Sequence, residues 1–165
     1  RLVGSEMCIR DSFWIGANQM EKAKSVVNIG YVWTLRFGLA TAVILWLTSR
    51  GLGSLFSSEP SVAEMSARLL LVVGLFHLGD GLQIMGFFLL RSFRITWKPL
   101  LIYTAILWGV GLFGGYSLAY RDGWFAPLND PIAFWYCSAF AVLLSGAMLR
   151  WLLVRTMNHP LRREQ

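Results

Sequence analysis

Cysteine, histidine and acidic residues are all scarce in this 165-residue chain, and each scarcity closes off a class of chemistry. The two cysteines, at positions 8 and 137, give neither metal-ligand spacing nor a disulfide framework. With two histidines and nine acids, no metal-ligand cluster, nucleophile–base set or phosphate-cradling loop can be assembled. The sequence therefore supports no enzymatic activity and implies no cofactor. The opening RLVGSEMCIRDS has none of the basic flank, apolar core and small-residue cleavage site of a signal peptide. The net charge of +6 does not mark a nucleic-acid binder, because the basic residues are scattered between apolar runs rather than gathered in one patch.

What the chain has in abundance is apolar surface. Hydrophobic residues make up 56% of it and the mean hydropathy is +0.54, beyond the range of a soluble domain. Four segments of about 20 residues, 29–49, 69–90, 100–120 and 132–154, are each long enough to cross a bilayer as a helix. Backbone groups in lipid must bond within their own segment, so the expected fold is all-α, a polytopic transmembrane helical bundle. Eight tryptophans, many near the ends of these runs, suit the membrane interfaces.

Charge sets the expected topology. Lys22 and Lys24 precede the first span, Arg91, Arg94 and Lys98 separate the second from the third, and Arg155, Arg162 and Arg163 follow the fourth. The other loops mix signs, with Arg50, Glu59, Glu64 and Arg68 on one and Arg121, Asp122 and Asp130 on the other. By the positive-inside bias, both ends and the middle loop are cytoplasmic, which fits an even number of spans. Residues 1–12 resemble translated adapter read-through and are set apart as a non-native segment, Cys8 with them. The chain is then expected to be a fragment, with Phe13–Ala17 the tail of an earlier span.

Asp80 is the residue that demands an explanation. It lies mid-way along the 22-residue run from Leu69 to Leu90. A carboxylate near the centre of such a helix costs about 2.5–3.5 kcal/mol on insertion, and intramembrane acids mark ion and proton paths. The alternative is a structural carboxylate bonded to a neighbouring helix. His77 and Gln83, each three residues away, form a polar stripe with Asp80 that can hold a proton or a desolvated cation. For His77 alone, a hydrogen bond across a helix interface is the simpler reading. Gly79 and Gly81 flank Asp80 and either let helices approach or loosen the helix around a site. Gly111 and Gly115 form a small-xxx-small pair in the third span. Arg36, about seven residues into its span, is placed to snorkel to the cytoplasmic interface or to pair with an acid elsewhere. Cys137, inside an apolar run, reads as a small packing residue.

Four stretches carry a resemblance. Gly16-Ala17-Asn18 with Ala23-Lys24 is similar to a turn closing a helix. Phe76-His77-x-x-Asp80-x-x-Gln83 is similar to a pattern F-q-x-x-D-x-x-Q. Leu90-Arg91 with Thr96 and Pro99 is similar to L-R-G-x-g-D-T-x-x-P. Trp108-x-x-Gly111-Leu112-x-x-Gly115-Tyr116 is similar to W-x-x-G-L-P-x-G-Y. Together they resemble the C-terminal part of a multidrug and toxic compound extrusion (MATE) transporter of the NorM-type branch. The departures are Ser92 for Gly, Arg94-Ile95 for Gly-Asp, Phe113 for Pro, which removes a kink, and His77 for Gln.

The resemblance implies residues 13–157 as part of the C-terminal lobe, four spans of a larger twelve-helix, two-lobe transporter, with 158–165 a cytoplasmic tail. It implies a multi-pass protein of the bacterial inner membrane that exports amphipathic or cationic small molecules against Na⁺ or H⁺ entry. Asp80 would bind the coupling ion beside His77 and Gln83, and the expected partners are the lipid bilayer and the missing N-terminal helices. Two other functions stay open, a lipid-linked oligosaccharide flippase of related architecture and a non-transporting four-span accessory subunit.

Overall fold

A computed structural model describes residues 17, 19–120 and 131–158. Residues 1–12, most of the Phe13–Ala17 segment, Gly16 and Asn18 of the first motif, the loop with Arg121, Asp122 and Asp130, and the tail after Asn158 lie outside them. The described residues are helical, without strands: α1 (Met20–Phe56), α2 (Pro60–Ser92), α3 (Trp97–Ile106), a π-helical stretch (Leu107–Gly114), α4 (Gly115–Tyr120) and α5 (Pro131–Asn158). Four helical segments are long and apolar enough to cross a membrane, the third being α3 through α4 as one continuous rod.

These helices overrun the apolar spans. At about 1.5 Å per residue, the 37 residues of α1 measure about 55 Å. Glu21 in the first turn of α1 favours the helix dipole and pairs with Lys24 at 3.0 Å. Pro60 opens α2 at its first turn, where the missing N–H costs nothing. Between them the Ser57 hydroxyl accepts a bond from the Glu59 amide at 3.1 Å.

The end of α2 is a left-handed cap. Arg94 donates its amide to the Arg91 carbonyl at 2.9 Å, and Ile95 donates to the Leu90 carbonyl at 3.0 Å. This is the paired pattern of a Schellman motif, and it puts Arg94 in the position that favours glycine. Arg94 has φ of 62°. The apolar contact that accompanies this cap is present too, with Ile95 packed on the cluster containing Leu90.

Glycines set the helix spacing. A Cβ on Gly79 would lie 2.9 Å from the Leu143 backbone nitrogen, and one on Gly86 would lie 2.9 Å from Leu149 Cβ. Gly146 faces back onto Leu82 and Gln83. The α2–α5 interface is thus a series of backbone approaches in which the two helices run parallel. α1 runs antiparallel to α2, with Gly38 against Leu78, Thr34 against Gly81 and Tyr31 against Gly86. α2 is helical straight through Gly79 and Gly81, so these glycines serve packing and not unwinding. Gly111 and Gly115 pack on Ala141 and Cys137 of α5, as the small-residue spacing predicts.

The third span is not a regular α-helix. Phe113 stands where the resembled pattern has proline, yet residues 107–114 widen into π-helical turns. Such turns place residues four or five apart on one face, and Gly111 and Gly115 are both buried against α5 while Gly109 stays exposed. The main core lies near one end of the bundle, where Val27, Tyr31, Leu89, Leu90, Leu149, Leu153 and Met157 meet.

Candidate functional site

Asp80 sits half-buried near the middle of α2. Helix arithmetic fixes which way it faces. Leu78 and Gly81 meet α1, while Gly79 and Gln83 meet α5. Phe76 and Phe87, one turn before and two turns after Asp80, share its side of the helix at about 100° per residue. Phe76 makes an edge contact with Trp135 of α5 at 6.5 Å, and Phe87 makes one with Tyr103 of α3 at 5.7 Å. The carboxylate therefore stands between two aromatic contacts that tie α2 to α5 and to the third span. Among the described residues it has no hydrogen-bond or ion-pair partner.

The structure splits the polar stripe. Successive steps of three residues rotate by about 60° around a helix, so His77, Asp80 and Gln83 fan across about 120°. His77 is exposed, Asp80 is intermediate and Gln83 is 5% exposed. Gln83 lies in the α2–α5 seam beside Gly146, and its Oε1 is buried without a partner among the described residues. Gln83 thus turns into the seam and His77 away from it, each by about 60° from Asp80. No group of three or more histidine, cysteine or acidic side chains among the described residues could hold a metal ion.

Arg36 departs from its expected position. α1 begins at Met20, nine residues before the apolar span, and the contacts Thr34–Gly81 and Gly38–Leu78 put Arg36 level with Asp80. It is therefore near the middle of the bundle rather than at its basic end. It is exposed on α1 and leans over the Trp33 ring, 5.7 Å from the centroid. The two charges do not pair, because Arg36 is exposed on α1 whereas Asp80 projects from the side of α2 that faces α5 and the third span.

One polar cluster was not singled out in the sequence. Arg150 of α5 lies over the Tyr31 ring of α1 at 4.3 Å and donates from Nη2 to Asn28 Oδ1. The available signal was Arg150, a cation inside the apolar fourth span, with Asn28 just before the first.

Comparison with known proteins agrees with the geometry. The MatE family model matches residues 7–117. The chain is 28% identical over 145 residues, 88% of its length, to the probable multidrug resistance protein NorM of Aromatoleum aromaticum, covering 31% of that protein. It is 30% identical to the probable NorM of Neisseria meningitidis serogroup B, with 92% of this chain and 32% of that protein aligned. To the multidrug resistance protein PmpM of Pseudomonas aeruginosa it is 27% identical, over 99% of this chain and 34% of the relative. The chain spans about a third of the length of these curated relatives, and no solved structure matches it significantly. With a family model matched over well more than half its residues and four helices able to span a membrane, the chain belongs to the MatE family.

Proposed function

We propose that this chain is part of a secondary active multidrug efflux antiporter of a bacterial inner membrane, with its C-terminus cytoplasmic. The transporter exports amphipathic or cationic compounds in exchange for Na⁺ or H⁺, and Asp80 is the carboxylate that takes the coupling ion. The observation that carries the reading is Asp80 itself, half-buried at mid-span and without a partner among the described residues. A charge kept there at a cost of about 2.5–3.5 kcal/mol is offset only when a cation or proton arrives. The names of the relatives, multidrug resistance proteins, support the substrate class.

The mechanism follows from differential stability. An unoccupied Asp80 carboxylate carries its charge half-buried on the side of α2 that makes the Phe76–Trp135 and Phe87–Tyr103 contacts. Binding Na⁺ or H⁺ relieves that and favours the packing in which the niche is closed. The ion shifts the balance between inward- and outward-open arrangements only through its different affinity for the two. Gln83 supplies an amide oxygen next to the seam, and His77 lines the exposed side.

Ethidium efflux from cells expressing the full-length protein tests this. Asp80→Asn is expected to abolish efflux at unchanged expression, and undiminished efflux by that variant would sink the coupling role.

A further inference from the structure

We propose that the groove between α1 and α5 at the basic end of the bundle binds the phosphate of an anionic phospholipid, with the Arg150 guanidinium as its anchor. Arg150 enters from α5 level with Gly86, since Leu149 packs on that glycine. That is about 10 Å toward the basic end from the level of Asp80. Its Nη2 reaches Asn28, which the Tyr31–Gly86 register puts about 4.5 Å further on. Half the hydrocarbon thickness is about 15 Å, so the guanidinium ends at the boundary with the headgroups.

The guanidinium is incompletely satisfied. Among the described residues Nη1 is buried with no hydrogen-bond partner, and no carboxylate pairs with Arg150. The Tyr31 ring holds its flat face at 4.3 Å and fixes the plane of the fork. Its single acceptor is the neutral oxygen of Asn28, an exposed residue on the side of the groove. A planar fork of this kind matches two oxygens of a phosphate and is only half used by an amide. Asn28 Oδ1 holds the place that a phosphate oxygen would take.

The surroundings fit a lipid rather than a soluble anion. Ile29 and Trp151, next in sequence to Asn28 and Arg150 and turned by about 100° from them, are 53% and 54% exposed, which gives acyl chains apolar surface on the flanking helix faces and an interfacial indole. One turn nearer the helix end, Arg155 lies over the Trp151 ring at 5.4 Å and adds a second positive charge. Basic pockets between membrane helices at the cytoplasmic side take anionic headgroups in this way.

Native mass spectrometry of the full-length protein, released from mixed micelles of phosphatidylglycerol and phosphatidylcholine, tests the site. The wild type is expected to retain phosphatidylglycerol selectively, and Arg150→Gln to weaken that retention about tenfold. Asn28→Asp, which gives the guanidinium a carboxylate of its own, is expected to fold and to lose the selectivity as well. Arg91→Gln, an exposed cation at the same end, should leave it unchanged. Equal retention by the wild type and both groove variants overturns the proposal. So does a melting shift produced equally by inorganic phosphate, which would assign a free anion. A lower melting temperature in Arg150→Gln with lipid retention unchanged also overturns it, since the partner is then an acidic side chain of the same protein.

Discussion

Gly79 of α2 lies directly against the backbone of Leu143 in α5, close enough that a Cβ there would stand 2.9 Å from the Leu143 nitrogen. A backbone atom cannot swing aside as a side chain can, so the helices must separate to admit a methyl group. Gly79→Ala is expected to destabilise the protein by about 1–3 kcal/mol, read as a lower melting temperature in detergent. Gly109, with nothing within 4 Å, is the control. Gly109→Ala should leave the melting temperature unchanged or raise it, because alanine is favoured over glycine in a helix by about 0.5–1 kcal/mol. Equal effects at both positions would contradict this account of the α2–α5 seam.

The cap of α2 predicts a stabilising change. Arg94 holds a left-handed conformation at φ of 62°, which costs an L-residue roughly 1–2 kcal/mol relative to its preferred regions. Arg94→Gly keeps both cap hydrogen bonds and removes the steric cost, although the unfolded glycine chain loses more entropy. The net expectation is a gain of about 1 kcal/mol. A lowered melting temperature would show that the Arg94 side chain contributes more than its backbone costs.

Tyr31 separates ring from hydroxyl. The ring supports Arg150, while the hydroxyl is buried beside Gly86 without a hydrogen-bond partner among the described residues. An unsatisfied buried hydroxyl costs about 1–3 kcal/mol, so Tyr31→Phe is expected to hold or raise the melting temperature. Tyr31→Leu, which loses the cation–π face as well, should lower it. A drop in the phenylalanine variant would mean that the hydroxyl is bonded in the folded protein.

The helical class was legible because four long apolar runs leave the backbone no other way to satisfy itself in lipid. Their true ends were not. The stretch from Met20 to Asn28 carries lysine, glutamate and asparagine, so hydropathy stops at Ile29 although the helix does not. That difference moved Arg36 from the end of a span to the level of Asp80. The glycine contacts of Gly111 and Gly115 could be read from spacing alone, whereas the π-helical winding around them could not, since it depends on how the turns seat against α5. The cap at Arg94 was hidden for a different reason. It lacks the glycine that would announce it, and the Arg94–Arg91 and Ile95–Leu90 hydrogen bonds secure it together with the packing of Ile95.

Of the proposed ion site, the sequence carried the central acid and its depth but not its surroundings. Three-residue steps suggested a common stripe for His77, Asp80 and Gln83, and the accumulated rotation separates the outer two. Gln83 goes to the seam because Gly146 opposite it has no side chain to keep it out. The aromatic contacts around Asp80 involve Trp135 and Tyr103 from other helices, which no reading of α2 alone could supply. The Arg150–Asn28 contact joins residues 122 positions apart and is likewise a product of tertiary register.

The central claim is that Asp80 couples ion entry to export. The most direct measurement is dye transport in proteoliposomes of the full-length protein under an imposed Na⁺ or H⁺ gradient, comparing the wild type with Asp80→Asn. Gradient-driven transport is expected in the wild type for at least one of the two ions. Asp80→Asn, which keeps the side-chain shape and removes the charge, should retain dye binding but no longer respond to either gradient. Gradient-driven transport of equal rate in the two proteins would contradict it and return Asp80 to a structural role.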